Sequence, residues 1–352
     1  MKRTIAILTV MISLTGISKA QDYHFSQFFD TPLLVNPALT GVFNGNQRAV
    51  LYYRDQWSSV MNNPYRTFGF SFDSRLWKNA SETGYLAIGL NVMKDKAGTS
   101  ELSVTQALLS VAYHQQIGES SLISAGIQGG FTQRTINPTN LVWDNQYDPN
   151  IGGFDPTLSS RETYTYEGFN HADLATGILY SYFSPSANTS SNDGMRFNVG
   201  GSFYHFNRPK KSFSELADLK LYSKVVFHAR ALIGLAQTNT GIAPSLIYER
   251  QGPNQEIIAG LGFRFMLQEQ SKYTGFMKEC ALTLGCLTRI GDAIIPYLSF
   301  EFANYAVGVS YDTNVSGLRR ATNSVGGFEV NLRFINPSPF KYQSRSINKS
   351  FL

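Results

Sequence analysis

Five histidines, two cysteines and a scatter of carboxylates and arginines are the residues of this chain that could do chemistry. His24, His114, His171, His205 and His228 stand far apart and show no metal-ligand spacing. No G-x-S-x-G elbow, Walker-type phosphate loop or dinucleotide fingerprint occurs. Catalysis would need a triad assembled from distant segments, and His114, His205 and His228 are expected in a polar structural network instead. Cys280 and Cys286, six residues apart, would lie roughly 20 Å from one another along an extended strand. That is far beyond disulfide reach, so neither a disulfide nor a metal pair is expected. Asp144, Asp148 and Asp155, with Asn145 and Asn150, offer oxygen ligands of the kind Ca²⁺ takes, but their spacing fits no calcium loop. Asx turns in a solvated loop are the expectation. The chain therefore points to no enzyme, no cofactor and no metal, and to binding as its chemistry.

Binding residues can be singled out. Trp143, Tyr147, Tyr164, Tyr166 and Phe169, together with Asp144, fall in one long segment bounded by turn formers. Aromatics on an exposed loop favour a protein partner or a folded-over lid, with simple loop packing as the alternative. A second set, Glu249, Arg250, Glu256, Arg264, Arg289, Asp292, Glu301, Asp312, Glu329 and Arg333, sits in or beside segments of strand character. Any of these that face an enclosed space must be paired, because an unpaired buried charge is costly. They would form an ion-pair network filling that space or, as the sharper alternative, a selectivity filter.

The elements that position these residues are strands. Gly326–Phe334 alternates with Phe328, Val330, Leu332 and Phe334 on one side and Glu329, Asn331 and Arg333 on the other, the period of a β-strand. Gln255–Gln268, Tyr85–Lys94, Ile123–Phe131, Val225–Leu235 and Tyr305–Tyr311 behave alike, and Arg48–Trp57 and Thr67–Arg75 less regularly. About fourteen such segments follow one another, an even number as single-chain outer-membrane barrels prefer. The expected fold is all-β, a transmembrane antiparallel β-barrel over residues 48–334. Long connections (134–171, 207–223, 314–324) alternate with short ones (118–121, 237–240, 303–304), the asymmetry of outer loops and periplasmic turns. The 184–194 connection is a long exception on the periplasmic side.

Composition agrees. Hydrophobic residues make up 43% of the 352 without any apolar run of membrane-helix length, and charged residues only 16%, below the usual ~25%. Residues 1–20 read as an export signal: Lys2 and Arg3, the apolar stretch Ile5–Leu14, then Ser18-Lys19-Ala20. Cleavage there would take the formal charge from +5 to +2, and with no basic stripe a nucleic-acid partner is not expected. Residues 21–47 precede the first strand and would lie in the periplasm or fold into the lumen. Residues 335–352, with Pro337 and Pro339, read as a short periplasmic tail.

Several stretches resemble the PorP/SprF family of outer-membrane proteins of the Bacteroidetes type IX secretion and gliding machinery. They are Ser26-Gln27-Phe28-Phe29, Pro32-Leu33-Leu34-Val35-Asn36-Pro37-Ala38-Leu39-Thr40-Gly41, Arg54-Asp55-Gln56-Trp57, Pro64-Tyr65-Arg66-Thr67 and Ser71-Phe72-Asp73. Further on come Lys94-Asp95-Lys96-Ala97-Gly98, Ser310-Tyr311-Asp312-Thr313-Asn314-Val315-Ser316 and Gly326-Gly327-Phe328-Glu329. The resemblance runs in order along the chain after residue 20. It implies export or surface anchoring of type IX cargo such as adhesins, contacts with periplasmic and outer-membrane secretion components, and a barrel seated in membrane lipid. It brings no catalytic residues. Gln27, Phe28, Asn36, Pro37, Arg54 and Trp57 are then the candidates for a periplasmic docking site or a structural plug, with Arg54 and Trp57 expected near a membrane interface. A passive porin or small-solute transporter is the alternative function.

Overall fold

The computed structural model describes residues 24–76, 83–137, 141–162, 168–184, 194–211, 219–268, 279–317 and 319–336. The expected signal at 1–20, Tyr164, Tyr166, the 185–193 part of the long exceptional connection and the 337–352 tail lie outside them. The strands are β1 (Gln47–Gln56), β2 (Tyr65–Leu76), β3 (Gly84–Ala97), β4 (Leu102–Ile117), β5 (Ser121–Thr135), β6 (Tyr147–Asp148), β7 (Gly153–Phe154) and β8 (Gly168–Ser184). They continue with β9 (Met195–Tyr204), β10 (Lys224–Gly234), β11 (Thr240–Gln251), β12 (Asn254–Gln268), β13 (Cys280–Arg289), β14 (Ala293–Phe302), β15 (Tyr305–Asn314) and β16 (Val325–Asn336). All but β6 and β7 form one closed antiparallel barrel of fourteen strands. Neighbours in sequence are neighbours in space, and β1 closes on β16 with Arg54 opposite Glu329 and Gln47 opposite Asn336.

Period-2 patterning decides which way each side chain points. Along β2, Thr67, Ser71 and Asp73 are buried while Phe68, Phe70 and Phe72 are exposed. Along β4, Gln106, Ser110 and His114 are buried, and Leu109 and Tyr113 are exposed. The barrel thus turns apolar residues outward and polar ones inward, the inverse of a soluble core and the arrangement a lipid-spanning barrel requires. No helix among the described residues is long and apolar enough to cross a membrane. Cys280 and Cys286 share one face of β13, half-exposed and exposed respectively.

The lumen is not empty. Residues 25–43 run through it as a strap built of tight turns: a 3₁₀ turn at Phe28–Asp30, the single-turn helix α1 (Pro32–Val35) and a second 3₁₀ turn at Pro37–Leu39. Pro32 and Pro37 each open a turn, where a missing N–H costs nothing and the fixed φ is already suitable. Phe25, Phe28, Phe29, Leu33, Val35, Ala38, Val42 and Phe43 are all buried. Phe28, Phe29 and Val35 pack with Tyr204, Val226, Ile247, Ile258, Leu287, Ile295 and Tyr297 of the wall, and Phe25 with Val50, Tyr52 and Met93. The strap therefore completes apolar clusters that begin on inward patches of an otherwise largely polar wall.

Two wall glycines let the strap approach. A Cβ on Gly126 would come within 2.5 Å of the Pro37 carbonyl carbon, and one on Gly177 within 2.0 Å of Asn36 Oδ1. Gly126→Ala is accordingly expected to cost about 1–3 kcal/mol through overpacking. An unfolding midpoint of the detergent-solubilised barrel that does not fall would show that the strap can give way there.

Candidate functional site in the lumen and the outer loop

The strap is tied to the wall by charges and polar groups that alternate along the strands. Near the long-loop end, Glu329 accepts from the backbone N–H groups of Ser26 (2.8 Å) and Gln27 (3.1 Å) and pairs with Arg54 Nε at 3.2 Å. Ser26 Oγ donates to Asp312 at 2.7 Å, and Arg289 bridges Ser26 Oγ (2.8 Å) and Asp312 (3.0 Å). Gln27 Nε2 donates to Ser310 Oγ at 3.0 Å. Further along, Asp30 pairs with Arg333 at 3.0 Å, and Arg333 and Arg264 share Glu301. The Arg230 guanidinium lies 4.2 Å from the Phe29 ring centre, a favourable cation–π geometry.

The middle of the strap is held through its backbone. Gln128 Nε2 donates to the Leu33 carbonyl (3.0 Å) and Ser202 Oγ to that of Val35 (2.6 Å). Asn36, fully buried, caps the second 3₁₀ turn by accepting from Ala38 N–H at 2.8 Å. That bond fixes its amide orientation, so Nδ2 faces the carbonyls of Ile178 (2.9 Å) and Gly201 (3.2 Å) and Nε2 of His228 (3.1 Å). His228 Nε2 must then accept, which requires its neutral form. At the short-turn end, His114 donates from Nε2 to the Thr40 carbonyl (2.7 Å), with Nδ1 2.6 Å from Ser124 Oγ. Arg48 grips Asp73 in a fork of 2.9 and 2.7 Å, and Asp73 also accepts from Gly41 N–H at 2.7 Å. Arg75 donates to the carbonyls of Gly41 (2.8 Å) and Phe43.

Of the plug and docking candidates, Gln27, Phe28, Asn36, Pro37 and Arg54 all lie inside the barrel among these contacts. Their side chains are enclosed by the fourteen-strand wall. Arg54 stands two residues before the long-loop end of β1 with its side chain turned into the lumen. It shares the inner face of β1 with Arg48, Val50 and Tyr52, because every second residue points in. Trp57, just past β1, sits at the long-loop end, half-exposed, with its ring edge-on to Tyr65 at 5.1 Å. The lumen histidines expected in a polar network are there: His205 pairs with Asp173 at 2.7 Å, beside the His114 and His228 contacts above. Arg250, by contrast, lies on the exposed side.

The long connection between β5 and β8 carries the small hairpin β6–β7, in which Tyr147 stands opposite Phe154. Its base is tied by Asp155 N–H to the Gln146 carbonyl (2.8 Å) and by Gln146 Nε2 to the Leu158 carbonyl (3.1 Å). Trp143 is half-buried at its foot and Asp144 and Tyr147 are exposed. Phe169 is not in the loop: it opens β8 on the inward side, stacked on His171 at 5.9 Å. Val142 (62% exposed), Ile151 (67%) and Phe154 (46%) join Tyr147 (56%) as exposed apolar groups beyond the strands. Aromatic content alone does not single out Val142 or Ile151; Ile151 and Phe154 flanking Gly152-Gly153 are the hairpin signal in the sequence. Asp148 and Asp155 do form Asx turns, accepting from Asn150 N–H and Thr157 N–H at 2.8 Å each. Hydrogen bonds from the Thr157 hydroxyl and N–H hold the Asp155 carboxyl below its ordinary range. No group of three or more metal-ligating side chains occurs among the described residues.

Among solved structures, the chain is similar to CdiB from Acinetobacter baumannii (8% identity, TM-score 0.39, 82% of this chain and 60% of that one). It is also similar to the CymD monoaromatic hydrocarbon channel (11%, 0.40, 88% and 93%) and to a deletion mutant of the TodX monoaromatic hydrocarbon channel (10%, 0.45, 86% and 92%). Comparison with curated protein sequences returns no significant match. The family model described as type IX secretion system membrane protein PorP/SprF, in contrast, matches residues 17–334. That span takes in the strap and all fourteen barrel strands, so this outer-membrane barrel belongs to the PorP/SprF family of type IX secretion membrane components.

Proposed function

We propose that this barrel is a plugged, non-catalytic docking component that holds type IX cargo, adhesin-like proteins in particular, at the cell surface. The observation that carries the reading is the pairing of a filled lumen with an exposed apolar hairpin. A lumen occupied by residues 25–43 argues against an open transport bore, whereas Val142, Tyr147, Ile151 and Phe154 give a contact surface at the long-loop end, which is the outer end by loop asymmetry. Large exposed apolar groups clustered outside the lipid band mark a protein contact. The described part of this loop, 141–162, carries Asp144, Asp148, Asp155 and Glu162 against Arg161 alone. The cargo surface it suits is apolar at the centre and basic at the rim. The short turns at the opposite end face the periplasm, where other secretion components would meet the barrel.

Changing Tyr147, Ile151 and Phe154 together to Ser is expected to leave the barrel intact and release cargo from the surface. Three lost anchors at about 1.4 kcal/mol each would weaken binding roughly a thousandfold. Cell-surface cargo measured by antibody on intact cells checks this; unchanged display with normal barrel levels would remove the hairpin from the proposal.

A further inference from the structure

The strap has a direction, and it is the reverse of what its place before β1 suggests. Its last residues adjoin β1 at the short-turn end, where Gly41 and Phe43 are held by Asp73 and Arg75. Traced backwards, each contact lies higher in the barrel. Thr40 meets His114, late in β4; Asn36 and Val35 meet Ile178 and Ser202; Leu33 meets Gln128 at the middle of β5. Asp30 meets Arg333, and Ser26 meets Glu329, four residues nearer the long-loop end of β16. His24 completes the series. Its carbonyl accepts from Arg54, two residues before the long-loop end of β1. Its Nε2 lies 3.4 Å from Glu256, two residues into β12 from that same end.

We propose that the strap traverses the whole membrane inside the barrel with its leading end at the outer mouth, so that the chain at His24 is accessible from the cell surface and not from the periplasm. The buried Asp30–Arg333 ion pair and the hydrogen bond from Gly41 N–H to Asp73, at two depths, keep it from sliding. Periplasmic proteins are left only the inner end of the strap, around the exposed Asn44.

The test places an antibody epitope between Tyr23 and His24 in the full-length protein. Reference epitopes go at Asn150 in the outer loop and at Asn304 in the β14–β15 turn. Expected on intact cells is antibody binding at the His24 and Asn150 positions with no gain on permeabilising the outer membrane, and none at Asn304 until permeabilisation. Binding at the His24 position only after permeabilisation, as at Asn304, would overturn the proposal, as would binding at Asn304 but not Asn150 on intact cells. If the insertion stops the barrel from accumulating, His24→Cys in a Cys280→Ser, Cys286→Ser background replaces it, read with a membrane-impermeant maleimide. Labelling on intact cells supports the outer position, and labelling only after permeabilisation, or none, overturns it.

Discussion

Deleting residues 24–43 is expected to turn a barrel that conducts almost nothing into an open, ion-conducting pore. The strap is the filling of the lumen: its phenylalanines, Leu33 and Val35 are buried against the wall, and without them the charged and amide groups of that wall open to water beside its apolar patches. Fourteen strands enclose more space than their own side chains fill, since barrels beyond about eight strands leave room for ligand, plug or water. Released from Ser26, Gln27 and Gly41, the inner carboxylates Asp312, Glu329 and Asp73 would face water and keep their arginine partners on the wall. Strand pairing and outward apolar faces remain, so the barrel should still assemble. Planar-bilayer conductance of the purified deletion and parent proteins checks the expectation. A parent barrel that already conducts like a porin would refute the plugged reading and favour passive transport. A deletion barrel that stays silent would mean that another segment closes the lumen.

Arg48→Ala is expected to be among the most damaging single substitutions in the chain. Arg48 and Asp73 are almost fully buried and joined by two hydrogen bonds, and Asp73 also holds Gly41 N–H, the hinge between strap and β1. Removing the guanidinium strands a carboxylate in a space walled by protein, which costs about 3–5 kcal/mol when one member of a buried pair is lost. The double change Arg48→Met with Asp73→Asn should recover much of this. It removes both charges of the pair together and leaves an amide oxygen to accept from Gly41. Guanidinium unfolding of the micelle-bound barrel measures both variants. An Arg48→Ala barrel as stable as its parent would mean that water reaches Asp73 and that the strap is loosely held.

Much of this architecture could be read along the chain because a strand writes its environment locally. Phe328, Val330, Leu332 and Phe334 alternate with Glu329, Asn331 and Arg333, and that period alone assigns one set to lipid and the other to the lumen. The same rule yields fourteen strands and predicts that inward charges such as Arg289, Asp312 and Glu329 are paired. It left the face of Arg54 unstated, although the inward side follows from parity along β1. Nor did it place Phe169, which belongs to β8 because that strand extends to Gly168. Loop residues are less legible still. Nothing periodic separates Ile151 and Phe154 from ordinary apolar residues, and their exposure depends on the hairpin that Gly152 and Gly153 permit.

The sequence by itself determined that this is an exported, alternating, barrel-forming chain with an extra segment before its first strand, since composition, period and turn residues act over a few neighbours. Only the tertiary structure decided where that segment goes and which way it runs. Ser26 reaches Asp312 across 286 residues and Asn36 reaches Gly201 across 165. Such pairings exist only once β1 has closed on β16 and brought the two ends of the chain to one wall. A strand's period fixes the face a residue takes; the closure of the barrel fixes what it meets there.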